Sequence, residues 1–174
     1  DLLWNGGIGT YVKASNESHA DVGDPANDRL RVNGSQLRCR VIGEGGNLGL
    51  TQLGRVEFEQ ATGGLICTDF IDNSAGVNCS DVEVIIKMLL NECQLNDGLG
   101  EQERNELLGE MTDAVSDLVL LNNERQTSAL HFIHHYAEKN VLAQADLIEY
   151  METNAGLNPQ LEKLPTPTQM RERF

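Results

Sequence analysis

Positive charge and long hydrophobic runs are what this sequence has least of. Its 174 residues include 13 lysines and arginines against 27 aspartates and glutamates, which gives a formal net charge of -14. A surface of that sign repels the phosphates of nucleic acids and anionic lipid headgroups. No apolar run approaches the roughly 20 residues that a membrane span requires. We therefore expect neither a nucleic acid nor a membrane as the partner of this chain.

Cysteine and histidine are also sparse, and neither has the spacing of metal ligands. The four cysteines are far apart and form no C-x-x-C pair, a pattern typical of reduced thiols in a cytoplasmic protein. His131 and His135 lie four residues apart on a predicted helix, but no carboxylate completes an H-E-x-x-H motif. The sequence therefore predicts a cytoplasmic location and no metal site. Because the chain starts at Asp1 without a Met or a signal-like segment, we also expect it to be an internal piece of a longer polypeptide.

The first half of the chain alternates short β-like runs with glycine turns. The segment "LTQLGRVEFEQA" between the second and third runs has the length of a helix. Strand, helix and strand in this order form a βαβ crossover, which makes the strands parallel neighbours and places ligands at their carboxyl ends. A polar surface loop with a short helix near Pro25 is expected over 14–36. The predicted strands and their turns are 1–4 with 5–9, 38–43 with 44–47, and 64–71 with 72–76.

The second half of the chain is predicted to be helical. Ser80 and Glu83 form a capping-box pattern ahead of apolar residues at helical spacing, so we expect a helix to begin at Ser80. The prolines of "LPTPT" (164–168) predict an extended segment. Three further helices are predicted over 101–125, 127–140 and 143–156. The expected fold class is α/β, with a partial doubly wound (Rossmann-like) parallel sheet followed by an α-helical segment.

Two asparagines occupy equivalent places after predicted strands. Asn47 and Asn73 each lie in a predicted turn, so both side chains are expected at one crevice at the edge of the sheet. A carboxamide offers a donor and an acceptor together, which suits the amide of a nicotinamide cofactor. The alternative is that asparagine simply tolerates turn geometry. Glu44 and Asp72 are candidate paired carboxylates for acid–base chemistry, although spacing alone does not establish such a pair.

Three stretches resemble a known family, the large NAD-specific glutamate dehydrogenases of bacteria: "DLLWNGGIGTYVKAS", "VIGEGGNLGLTQLGRVEF" and "TDFIDNSAGVNCSDVEV". The smaller glutamate dehydrogenases carry A-E-G-A-N and N-A-G-G-V-x-x-S after successive strands, where this chain has "GEGGN" (43–47) and "NSAGVNCS" (73–80). The resemblance implies oxidative deamination of L-glutamate to 2-oxoglutarate and ammonia, with hydride transfer to NAD. It also implies that residues 1–96 are the carboxyl-terminal half of the NAD-binding catalytic domain, followed by a helical segment over 97–174.

The resemblance further implies roles for individual residues on the cofactor side. Asn73 would contact the nicotinamide amide, and Asn47 would lie at the nicotinamide ribose. Gly6 and Gly7 would let the backbone approach the cofactor closely.

On the substrate side, the resemblance implies that Val77 lines the pocket for the glutamate side chain and that the Ser80 hydroxyl binds the distal carboxylate. A helix N-terminus at Ser80 would favour that anion. The alternative is that Ser80 only caps its own helix.

The family's catalytic lysine and aspartate, and its G-x-G-x-x-G turn, are expected upstream of Asp1. No catalytic residue is therefore predicted within this chain, and the 174 residues alone are expected to be inactive. Preference for NAD over NADP rests on the resemblance. The competing hypothesis is a non-catalytic α/β binding or assembly domain. Unpaired strand edges and bare apolar faces predict a homo-oligomer, with a homodimer through residues 1–4 or the apolar stripe of 108–119.

Overall fold

The computed structural model describes residues 1–173, which form two small parallel sheets and a series of helices. The strands are β1 (Leu2–Asn5), β2 (Val12–Lys13), β3 (Val32–Asn33), β4 (Val41–Glu44) and β5 (Leu65–Ile66). The α-helices are α1 (His19–Val22), α2 (Gln52–Thr62), α3 (Asp69–Asp72), α4 (Ser74–Asn96), α5 (Glu101–His135), α6 (Val141–Asn154) and α7 (Pro167–Arg173). The predicted α/β class, with a small parallel sheet followed by helices, is confirmed. The doubly wound arrangement and the division at residue 96 stay predictions.

The main sheet has three parallel strands in the order β1–β4–β5. Leu3 lies opposite Ile42, and Ile42 lies opposite Ile66. Because α2 joins β4 to its parallel neighbour β5, the predicted βαβ crossover is confirmed. β1 and β4 end side by side, with Asn5 opposite Glu44, so the first two glycine turns leave the sheet at the same edge.

Helix α2 covers one face of this sheet and forms the core with it. The helix begins where the Thr51 hydroxyl accepts a hydrogen bond from the backbone N–H of Gly54 (2.9 Å). It ends at Gly63, whose φ of 64° lies in the left-handed region that favours glycine. The buried apolar cluster between α2 and the strands consists of Val12, Ile42, Leu50 and Phe58.

The opposite face of the sheet is largely exposed in the described part of the chain. Side chains alternate between the two faces along a strand, so the neighbours of the core residues point away from α2. We call these residues the open sheet face; they are 38 to 64% exposed and comprise Leu2, Trp4, Val41 and Leu65. The Trp4 indole lies over Gly43 and Gly45, where an added Cβ would come within 2.7 to 2.8 Å of the ring. Trp4 therefore requires glycine at both positions. Homodimerisation through residues 1–4 or the apolar stripe of 108–119 stays a prediction.

The third predicted strand is shorter than expected, and the predicted turn after it is wrong. The sequence predicts a strand over 64–71, but β5 ends at Ile66 and the chain then enters α3. The turn predicted over 72–76 is the junction between α3 and α4. The cause is tertiary: the Asp69 carboxylate accepts a hydrogen bond from the backbone N–H of Leu48 (2.7 Å), and Asp72 accepts one from Glu44 (2.9 Å). These bonds turn the chain away from the sheet.

The helical part differs from its prediction in two places. α5 runs unbroken from Glu101 to His135, where two helices are predicted, because no glycine or proline after Gly109 interrupts it. Pro167 begins α7 instead of extending the loop, since the first helical position needs no N–H donor. The helix predicted over 143–156 is confirmed as α6. Within residues 1–173, no helix is both long enough and apolar enough to cross a membrane.

Glu57 joins α2 to the surface loop through hydrogen bonds that require its ionised form. Its carboxylate accepts from the backbone N–H groups of Ser15 (2.6 Å) and Ser35 (3.0 Å) and from the Ser35 hydroxyl (2.7 Å). Burial opposes ionisation, but these hydrogen bonds lower the pKa of Glu57 from 4.5 to about 2. Because the folded-state pKa is the lower one, the stabilisation is complete above about pH 4.5 and is lost as the pH falls through about 2.

We expect Glu57→Gln to remove this part of the acid sensitivity. The effect on the free energy of unfolding is about 1 to 2 kcal/mol, because the carboxylate is partly exposed to solvent. Urea unfolding of the wild type and the variant, repeated between about pH 6 and pH 2, measures it. Glu59→Gln, at an exposed position on the same helix, is the control. A Glu57→Gln chain with the wild-type pH dependence would show that these hydrogen bonds contribute nothing.

Candidate functional site

The turns after β1 and β4 touch each other at the carboxyl edge of the sheet. The carbonyl oxygen of Asn5 accepts hydrogen bonds from the backbone N–H groups of Gly45 (2.8 Å) and Gly46 (3.2 Å). A Cβ on Gly46 would collide with the carbonyl oxygen of Gly7. Glycine therefore permits the close approach of the two backbones. Gly6 and Gly7 are both exposed at this edge.

The two asparagine side chains meet beside these turns. Asn73 lies at the junction of α3 and α4, and its Nδ2 donates a hydrogen bond to Oδ1 of Asn47 at 3.1 Å. The structure thus brings together the two amides that the sequence predicts at one crevice, although Asn73 reaches it from a helix junction. Within residues 1–173, the remaining amide atoms of the pair, Nδ2 of Asn47 and Oδ1 of Asn73, make no hydrogen bond. The pair therefore retains a free donor and a free acceptor for a ligand.

An open cavity of about 580 Å³ lies next to the amide pair. The first two turns of α4 form one wall, and α5 contributes to another. Val77, predicted in the glutamate pocket, is on the cavity wall, whereas Gly6, Gly7 and Ser80 are not among the lining residues described. The lining residues are Asn47, Phe70, Ile71, Asn73, Ser74, Val77, Asn78, Asp81 and Gln126. Four of them (74, 77, 78 and 81) have the spacing of one helical face.

Ser80 does not begin a helix, so the predicted capping box with Glu83 is wrong. α4 starts at Ser74, with Asn73 as its capping residue, and Ser80 lies exposed in the second turn. The sequence signal at Ser80 is overridden because tertiary hydrogen bonds fix the α3–α4 junction six residues earlier. The positive end of the helix dipole therefore lies at Ser74, beside the cavity. Contact between Ser80 and a substrate carboxylate stays a prediction.

Helix α5 supplies two residues that sequence reasoning missed. Nδ2 of Asn123 donates hydrogen bonds to the carbonyl oxygen of Ile71 (3.0 Å) and to Oγ of Ser74 (2.8 Å). These bonds hold the α3–α4 junction, and with it Asn73, against α5. Gln126 lies one turn further along and lines the cavity. Asn123 is 52 and 49 residues from its two partners, and no local pattern marks either α5 residue.

A buried charge network supports the turn that carries Asn47. Glu44 is 0% exposed; its Oε1 accepts hydrogen bonds from Nε (3.0 Å) and Nη2 (2.8 Å) of Arg55. Its Oε2 accepts one from the backbone N–H of Gly49 (3.0 Å). Nη2 of Arg55 also donates to Oδ1 of Asp69 at 3.2 Å. A single guanidinium therefore joins the end of β4 to the start of α3.

The carboxylates of Glu44 and Asp72 serve this network and do not form an acid–base pair at the cavity. Burial raises the pKa of Glu44, while the Arg55 guanidinium acts in the opposite direction. Burial also raises the pKa of Asp72, whose Oδ2 accepts the backbone N–H of Glu44 (2.9 Å). Neither residue is among those that line the cavity. The acid–base hypothesis for these two residues receives no support from their placement.

The part of the chain that the structure describes contains no candidate metal site. No group of three or more His, Cys, Asp and Glu side chains is arranged there to hold an ion. His131 and His135 lie in the last turns of α5. The four cysteines are free thiols.

Known proteins resemble this chain along its whole length. Residues 1–133 match the family described as bacterial NAD-glutamate dehydrogenase, catalytic domain. Proteins named NAD-specific glutamate dehydrogenase from Pseudomonas aeruginosa, Halomonas elongata and Mycobacterium tuberculosis are 55%, 52% and 50% identical to it over 174, 173 and 173 residues. These alignments cover 99 to 100% of this chain. The chain spans 11% of the length of each of these curated relatives.

Proposed function

Because this chain belongs to the family of bacterial NAD-glutamate dehydrogenase catalytic domains, we propose that it forms part of an oxidoreductase that converts L-glutamate, NAD and water to 2-oxoglutarate, ammonia and reduced NAD, with release of protons. The observation that carries the proposal is the hydrogen bond between Asn47 and Asn73 (3.1 Å) at the edge of the cavity. In this proposal, residues 1–96 supply the carboxyl-terminal half of the NAD-binding domain, and 97–174 form a helical segment that supports it.

The amide pair has the chemistry to bind the nicotinamide end of NAD, which supplies the hydride acceptor when bound. A nicotinamide carboxamide carries one acceptor oxygen and one donor nitrogen, and Nδ2 of Asn47 and Oδ1 of Asn73 complement them. Gly6 and Gly7 expose backbone beside the same edge, next to Gly46. In this proposal, these residues bind and orient the cofactor.

On the substrate side, Val77 and Ser80 bind L-glutamate in this proposal. Val77 presents an apolar side chain to the cavity wall, and Ser80 follows one turn further along α4. No lysine or arginine is among the described lining residues, and Asp81 adds a carboxylate. Because the two carboxylates of L-glutamate need cationic partners, this chain is expected to supply only part of the glutamate site.

The test is a steady-state analysis of glutamate-dependent NAD reduction by the full-length protein. Asn47→Ala or Asn73→Ala should raise KM for NAD about three- to tenfold, since each removes a neutral hydrogen bond. Ser80→Ala should raise KM for glutamate by about tenfold or more, because its hydroxyl would bond to a charged group. Asn96→Ala and Ser116→Ala, at exposed positions on α4 and α5, are the matched controls.

Two results would contradict the proposal. Unchanged KM values in all three variants would remove these residues from the site. A full-length protein that cannot reduce NAD with glutamate would favour the competing hypothesis of a non-catalytic binding or assembly domain.

A further inference from the structure

Asp69 forms hydrogen bonds next to both asparagines of the amide pair. Its Oδ2 accepts from the backbone N–H of Leu48 (2.7 Å), the residue after Asn47. Its carbonyl oxygen accepts from the backbone N–H of Asn73 (2.8 Å). Asp69 is the first residue of α3 and is 8% exposed. One buried residue thus links the turn that carries Asn47 to the helix junction that carries Asn73.

The turn needs this link because of the backbone at Leu48. Its φ is 57°, in the left-handed region that is unfavourable for residues other than glycine. The Leu48 side chain is 67% exposed, so its own packing does little to hold this conformation. A charge-assisted hydrogen bond from the Leu48 N–H to the Asp69 carboxylate stabilises it directly.

The direction of the Asp69 carboxylate is itself fixed by Arg55. Oδ1 of Asp69 accepts from Nη2 of Arg55 (3.2 Å), which leaves Oδ2 for Leu48. Arg55 is anchored on the fully buried Glu44 by two further hydrogen bonds. The carboxylate is therefore held in place on both sides, as a group that positions its neighbours requires.

We propose that Asp69 is a positioning residue for the cofactor, an inference that rests on the proposed function. Asp69 holds Asn47 against Asn73 so that the two amides bind the nicotinamide carboxamide together. Without its carboxylate, Leu48 relaxes toward negative φ and carries Asn47 away from Asn73. The loss falls on NAD, because the hydrogen bonds from Asn123 to Ile71 and Ser74 hold the start of α4, and with it the residues assigned to glutamate, without the Asp69 carboxylate.

The experiment compares variants of the full-length protein in steady-state kinetics. Asp69→Ala should raise KM for NAD about tenfold, the size of a lost charge-assisted hydrogen bond, and leave KM for glutamate within about twofold. Asp69→Asn keeps one acceptor oxygen but turns an NH2 donor toward either the Leu48 N–H or Arg55, so it should recover only part of the loss. Adding Leu48→Gly to Asp69→Ala should also lower KM for NAD, because glycine adopts positive φ without the carboxylate.

The controls separate positioning from folding and from the proposed function. Asp113→Ala removes an exposed carboxylate on α5 and should leave both KM values unchanged. If Asp69→Ala does not fold, Asp69→Asn with and without Leu48→Gly gives the same comparison. Asp69→Ala with wild-type KM for NAD, in a protein where Asn47→Ala raises it, overturns this inference alone. A rise in both KM values without rescue by Leu48→Gly also overturns it. A wild-type protein without activity overturns the proposed function and this inference together.

Discussion

Replacing Arg55 with alanine is expected to lower the free energy of unfolding of this chain by about 3 to 5 kcal/mol, the cost of breaking a buried ion pair by removing one partner. Arg55 supplies two hydrogen bonds to Glu44, which has no exposed surface, and one to Asp69. Without the guanidinium, the Glu44 carboxylate keeps only the backbone N–H of Gly49. A buried charge with one partner is strongly unfavourable.

Urea unfolding followed by circular dichroism measures the change. Arg171→Ala is a matched control, because Arg171 also bonds two carboxylates, those of Asp146 (2.6 Å) and Glu149 (2.9 Å), but does so at the surface. Its unfolding midpoint should stay close to that of the wild type. Adding Glu44→Gln to Arg55→Ala should restore part of the stability, since it removes the unpaired charge. A double variant less stable than Arg55→Ala would refute this explanation.

Phe58→Ala is expected to destabilise the chain by a similar amount, about 3 to 5 kcal/mol. Phe58 is the largest fully buried apolar side chain among the described residues, and it packs α2 against β4 in the cluster with Val12, Ile42 and Leu50. Truncation removes the transfer free energy of the ring and leaves a cavity that neighbouring strands cannot close.

The control for Phe58 is the same substitution at an exposed phenylalanine. Phe132→Ala on α5 removes a ring that is mostly in solvent, so it should change the urea midpoint much less than Phe58→Ala does. Phe58→Leu keeps part of the volume and should fall between the wild type and the alanine variant. Equal losses for Phe58→Ala and Phe132→Ala would mean that the cluster around α2 is not the stabilising core.

The parts of the fold that depend on local sequence were predictable. Apolar runs, turn glycines and a segment of helical length predicted the βαβ crossover, because each of these signals is local. The meeting of Asn47 and Asn73 was predicted from the shared edge at which parallel strands end, but Asn73 reaches that edge from the α3–α4 junction. Family motifs then suggested what the two amides would bind.

The parts that failed depend on residues far apart in sequence. The run 64–71 has strand-like composition, yet β5 ends at Ile66 because Asp69 and Asp72 accept backbone hydrogen bonds from the turn after β4 and from the last residue of β4. Hydrogen bonds from Asn123 to Ile71 and Ser74 hold the start of α4, which leaves the capping pattern at Ser80 unused. In the sequence, Arg55 is indistinguishable from a solvated helix residue, and only the position of Glu44 makes it internal.

Because α5 is long and unbroken, a small tilt of this helix produces a large displacement at its end. Its 35 residues span about 52 Å at roughly 1.5 Å per residue. Asn123, which is bonded to the α3–α4 junction, lies about 33 Å from the Glu101 end by the same rise. A tilt of about 5° around Asn123 therefore moves that end by about 3 Å, as the rise and simple geometry require. Conversely, a displacement of several ångströms at Glu101 would rotate α5 by a few degrees at Asn123, where it is bonded to Ile71 and Ser74 on either side of Asn73.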